Sequence, residues 1–120
     1  MEYELEYDEG LGVIVGRLHG ELDAAAARKV ASDLAQLVRR HDCHLFLNDL
    51  RDANITRSTL EIYSIPRVVK DVGVPGGMRR ALVVGGITED FDFLETASLN
   101  AGNLIKLFTD PDEALAWLKS

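Results

Sequence analysis

The fold turns on the stretch His44-Leu45-Phe46-Leu47-Asn48-Asp49-Leu50-Arg51-Asp52-Ala53-Asn54-Ile55-Thr56-Arg57-Ser58-Thr59. Leu45, Phe46 and Leu47 are consecutive rather than alternating. Adjacent apolar residues imply a strand buried on both faces, as in a parallel sheet covered by helices. That strand is expected over His44–Leu50. It runs into a polar loop within Asp49–Thr59, and a helix follows from near Ser58, whose hydroxyl suits an N-cap.

On the N-terminal side, Ala24–Arg40 reads as a helix. Asp23 is its N-cap, Val30, Leu34, Leu37 and Val38 share one stripe, and Arg39 and Arg40 suit the negative end of the helix dipole. Earlier still, Glu2–Tyr7 alternates Tyr3, Leu5 and Tyr7 with glutamates, the period of a half-exposed edge strand. Asp8–Gly12 supplies a turn, and Val13-Ile14-Val15, running on through Leu18 to His19-Gly20, returns as the other arm of an antiparallel hairpin.

On the C-terminal side, Ser58–Asp71 carries Leu60, Ile62, Tyr63, Ile65, Val68 and Val69 in a mostly helical pattern, and Pro66 predicts a kink or two short helices. Val72–Gly77 is a loop by composition. Arg80–Val84 is a second buried strand, stopped by Gly85-Gly86. A helix starts around Thr88, with Phe91, Leu94, Ala97, Ser98 and Ala101 on one face and Gly102 as its stop. Leu104–Phe108 is the last strand. Asp110-Pro111-Asp112-Glu113 reads as a capping box opening a final helix, docked through Ala114, Leu115, Trp117 and Leu118. Repeated strand-helix units give one domain over residues 1–120. Its class is α/β, a mostly parallel five-stranded sheet with an N-terminal antiparallel hairpin and four helices.

Among its 120 residues the chain has 20 Asp and Glu against 13 Lys and Arg, a formal charge of −7. Phosphate backbones and anionic lipid surfaces are repelled on average, so nucleic acid is not expected as a partner. Cys43 cannot form an internal disulfide and Met1 leads into charged residues, which points to a reducing cytoplasm. No apolar run approaches the roughly 20 residues of a spanning helix, so no membrane insertion is expected.

The strand Leu45–Asp52, the strand Arg80–Gly85 and the ending Leu107-Phe108-Thr109-Asp110-Pro111-Asp112-Glu113-Ala114-Leu115-Ala116-Trp117-Leu118 resemble the bacterial SpoIIAA-like proteins, small domains of the STAS/SEC14-like superfamily. The resemblance covers essentially the whole chain. In the anti-sigma-factor antagonists of this fold, a strand ending Asp-Leu leads to Asp-Ser-Ser-Gly at a helix start, where a serine is phosphorylated as a switch. The same distance from Asp49-Leu50 reaches Arg57-Ser58-Thr59-Leu60. Ser58 and Thr59 are therefore the candidate phospho-acceptors, but Arg57 stands for the Asp and Leu60 for the Gly, a degraded switch. An ordinary N-cap at Ser58 or Thr59 is the simpler account.

The resemblance implies a non-enzymatic regulatory or protein-interaction domain, with an unidentified protein partner meeting Asp49, Arg51, Asn54, Arg57 and Tyr63. The SEC14-like relatives, which carry lipids under a mobile helix, imply an alternative: a small carrier of an apolar ligand lined by Tyr63, Ile65, Val69, Phe91 and Leu94. A homodimer is expected as well, because Phe93 and Leu99 lie off the core stripe of the third helix.

In an open parallel sheet, ligands bind where strands end and helices begin. That rim holds His19, Glu21, Asp23, Asp49, Arg51, Asp52, Asn54, Gly86, Thr88, Glu89, Asp90 and Asp110. Helix capping accounts for most of its acids. His19, Asp49 and Ser58 have the residue types of a triad, without a Gly-x-Ser-x-Gly elbow. His41, Cys43 and His44 are too tightly spaced to converge on a metal. Gly85-Gly86 lacks the rest of a phosphate loop. No catalytic residue, metal or cofactor is expected.

Overall fold

A computed structural model describes residues 1–120. Its elements are β1 (Glu2–Asp8), β2 (Val13–Leu22), α1 (Ala24–His41), β3 (Leu45–Ile55), α2 (Thr59–Asp71), β4 (Arg79–Val83), α3 (Glu89–Asn100), β5 (Leu104–Phe108) and α4 (Pro111–Leu118). The strands lie in sequence order across one sheet, with β1 antiparallel to β2 and every later neighbour parallel. This is the α/β arrangement read from the sequence.

Strand order fixes the layers. Each right-handed crossover advances one place along the sheet, so each sets its helix on the same face. Helices α1, α2 and α3 accordingly pack side by side, while α4 follows the last strand and covers the other face over β3, β4 and β5. Alternating side chains divide between two cores. Ile14, Leu18, Phe46, Leu50 and Leu82 meet Val30, Leu34, Ile62, Ile65 and Leu94 under the three helices. Val13, Ala81 and Val83 meet Ala114 and Leu118 under α4. Gly16 lets the first core close, because a Cβ there would stand 2.6 Å from Leu5 and 2.9 Å from Phe46.

Four local expectations are corrected. Strand β3 does not end at Leu50 but runs to Ile55, and β2 runs to Leu22. The register passes from Arg17↔Asp49 to His19↔Asp52, so β3 carries one extra residue, a bulge at Leu50–Arg51. Pairing with β4 stops at Asp49↔Val83, and beyond it β2 and β3 continue as a two-stranded ribbon. Asp49, Arg51 and Asn54 therefore sit on a strand, not in a loop.

Of the two readings of Pro66, a kink or two short helices, the second is overturned, because α2 is one helix. An interior proline costs about 3 kcal/mol in an isolated helix. Here Pro66 lies on the buried face with Ile62, Ile65 and Val69, so packing offsets the lost bond. Ala101 is exposed just past the end of α3 instead of on its core face. Finally, the Asp110 carboxylate accepts from the Asp112 N–H at 2.9 Å, so the start of α4 is capped one residue earlier than a capping box requires.

Candidate partner-binding site

The start of α2 is tied down by short polar side chains. The Thr56 N–H donates to the Leu22 carbonyl (2.9 Å), pinning the end of β3 to the end of β2. Its hydroxyl oxygen accepts from the Ser58 N–H at 3.2 Å. Ser58 Oγ in turn accepts from the Glu61 N–H at 3.3 Å, the N-cap expected of it. Glu61 does not reach back to Ser58. Its carboxylate accepts from the Ala24 N–H of α1 (2.9 Å) and from the Thr56 hydroxyl (3.4 Å), joining the starts of two helices. Sequence reading passed over Glu61, although Ser58-x-x-Glu61 has capping-box spacing.

The five expected partner-binding residues do not form one surface. Asn54 and Arg57 line a groove of about 650 Å³ at the rim, with Ser58, Glu21, Thr88 and Asp90. Asp49 and Arg51 belong to the α4 face, because Asp49 pairs with Val83, whose side chain packs under α4. There Arg51 holds Asp49 through two bonds of 3.0 and 2.8 Å, and this guanidinium keeps the Asp49 carboxyl below the usual carboxylate range. Tyr63 lines a separate groove of about 670 Å³ between α2 and α3, with Arg67, Lys70 and Phe93.

A more continuous surface runs along α2 itself. Leu60 is 84% exposed and Tyr63 69% exposed, and Arg67 and Lys70 follow them at helical spacing, also exposed. Leu60 was read as part of the apolar pattern. The signal against that was available: Ile62, Ile65, Pro66 and Val69 already complete a buried stripe, and Leu60 falls off it.

Of the expected ligand-lining residues, Ile65, Val69 and Leu94 do border a common cavity, about 60 Å³ in volume, between the sheet and α1, α2 and α3. Tyr63 points to solvent instead, and Phe91 is buried beside the rim groove. Three polar residues also face the cavity: Asn48, Arg80 and Ser98.

The remaining candidate chemistry disperses. His19 lies 3.8 Å from Asp52, Asp49 is held by Arg51 and Ser58 caps α2, so each member of the supposed triad has a different partner. His41 stacks on Tyr7 at 4.3 Å, the Cys43 thiol donates to the Gly12 carbonyl, and His44 lies 3.9 Å from Asp42. No three His, Cys, Asp or Glu side chains converge as metal ligands would. No helix is long and apolar enough to cross a membrane.

No protein-family model matches the sequence, and no curated protein matches it. Among solved structures, the anti-sigma factor antagonist SpoIIAA in its unphosphorylated form is similar at a TM-score of 0.55, covering 99% of each chain at 15% identity. Over its whole length the chain thus has the SpoIIAA-like α/β fold.

Proposed function

We propose that this chain is a non-enzymatic regulatory domain that docks a protein partner on the exposed stripe of α2. One observation carries the reading: Leu60 and Tyr63, two large apolar side chains, stand in water on the first turns of a helix whose opposite face is buried. Apolar anchors beside polar groups are how interfaces concentrate their energy. Arg67 and Lys70 lie along the same side of a chain whose net charge is −7, and Arg57 just precedes the helix, so the stripe suits a partner that is acidic and apolar. Fold similarity to an anti-sigma factor antagonist supports a regulatory role.

In this reading Ser58 serves as an N-cap rather than a switch. Its oxygen is engaged by the Glu61 N–H, and a phosphate there would share the groove with Glu21 and Asp90 as well as Arg57. The domain works in a reducing cytoplasm, where the buried Cys43 stays a thiol. A homodimer through α3 is the finer part of the proposal, resting on Leu99, 49% exposed, and half-buried Phe93.

The test is recovery of partners from the source cell by the native chain and by Arg57→Glu/Leu60→Ser/Tyr63→Ala. The native chain is expected to retain a specific protein that the triple variant loses at unchanged stability. Equal recovery by both would overturn the proposal, and sedimentation of the native chain as a monomer at high concentration would remove the dimer. A lipid-like ligand is a poor fit, since about 60 Å³ is several-fold below the roughly 300–1,000 Å³ of ordinary small-molecule sites.

A further inference from the structure

Arg80 is 7% exposed, as is Asn48, and neither side chain makes a hydrogen bond within the protein. Arg80 Nε and Asn48 Oδ1 are both out of reach of solvent and of any protein partner. Such groups cost free energy unless something satisfies them, and a buried guanidinium without a carboxylate is rarer than a buried amide. Their placement is systematic. Phe46, Asn48 and Leu50 point to the three-helix face of β3, Arg80 and Leu82 to the same face of β4, and both polar residues meet the cavity beside Ser98.

We propose that this cavity is a binding site for a short monocarboxylate, held by Arg80 and Asn48 with its carbon chain against the apolar wall. A planar guanidinium matches a carboxylate with two parallel donors. The Asn48 amide, turned end for end, offers its N–H to the same group. One cation balances one negative charge, and the walls, apolar apart from Asn48, Arg80 and Ser98, disfavour a doubly charged phosphate. The walls instead suit an anion with an apolar remainder. About 60 Å³ leaves room for only a few heavy atoms. Burial lowers the Arg80 pKa to about 10, so the group is still a cation at neutral pH.

The same head group occurs on free short acids and at the end of long acyl chains, and the volume favours the former. The test is titration of the isotopically labelled full chain with sodium propionate at constant ionic strength, followed by the Arg80 Nε–H and Asn48 amide signals. Saturable shifts at both, with a raised thermal midpoint, are expected. Arg80→Met should abolish them while the chain stays folded, and Asn48→Leu should weaken binding about tenfold. Propionamide, the neutral isostere, and octanoate, the long-chain acid, should produce neither effect. Absence of saturation by about 100 mM propionate, equal response in Arg80→Met, or an equal response to propionamide would overturn the site. Preference for octanoate would overturn the short ligand. Rapid exchange of the Arg80 Nε–H with solvent, unaltered by propionate, would show that water alone satisfies the group and would likewise overturn it.

Discussion

Arg79 and Arg80 are adjacent in the chain and opposite in circumstance. Alternation along β4 sends Arg79 to the α4 face, where its Nη1 meets the carbonyls of Trp117 and Ser120 and the Ser120 hydroxyl, each at 2.9 Å. Its guanidinium also lies 5.5 Å from the centre of the Trp117 ring. Those bonds cap the C-terminal end of α4, where a cation is favoured. The same alternation sends Arg80 into the core under α1, α2 and α3, where nothing in the protein receives it. Residue type therefore says little about a charge's contribution; the face of the sheet decides whether it stabilises the fold or weighs on it.

The largest effect expected is from Arg80→Met, which removes a buried charge without leaving a large void. Urea unfolding in ligand-free buffer should show a gain of about 1–4 kcal/mol. A loss would break the contrast, because it would mean that the guanidinium is satisfied in the folded state. pH sharpens the test. Burial lowers the Arg80 pKa to about 10, well below that of a free guanidinium, so above pH 10 the unfolded chain still binds a proton that the folded chain has lost. Native stability attributable to this group then rises with pH, and the variant's advantage should shrink above pH 10.

The next effect is of opposite sign. Arg79→Met deletes the bonds to the end of α4 and should cost about 1–2 kcal/mol in the same assay, with fraying of α4 seen by amide exchange. An unchanged midpoint would mean that the contacts with Trp117 and Ser120 contribute nothing net. The smallest shift is expected from Asp49→Asn, which breaks a more exposed pair with Arg51. The Asp49 pKa is lowered in the folded state, so its contribution is present above the ordinary carboxylate value of 3.8 and disappears as pH falls through the folded value. Native chain and variant should therefore converge in acid. Divergence there would reverse the assignment.

Much of the architecture could be read from the chain, because the signals were redundant. Leu45-Phe46-Leu47, Asp23 before Ala24 and Asp110-Pro111 each mark an element in more than one way. The extension of β3 was hidden by its bulge. Leu50, Ala53 and Ile55 are all buried, but the extra residue breaks the period between the first two, and Arg51-Asp52 looks like a loop. The rim residues were found individually, yet which of them share a surface depends on that same break. With the extra residue, Glu21↔Asn54 falls on the same side of the ribbon as Arg17↔Asp49, yet Asn54 lies farther along it, in the rim groove with Arg57 and Ser58. Arg80 was read only as the start of a strand. Its parity with Leu82 and Val84 was the available clue, since two consecutive arginines at the head of a doubly covered strand cannot both face the same layer.

The alternation of β1 bears on how copies of this chain can meet. As the outer strand of the sheet it leaves one row of backbone donors and acceptors without a neighbour, the template from which edge-to-edge aggregates grow. Glu2, Glu4 and Glu6, exposed at every second position, would bring two rows of negative charge together if two such edges paired. The strand thus guards its own border, and crowded solutions of this acidic chain should resist sheet extension through β1 even when self-association proceeds through the helices.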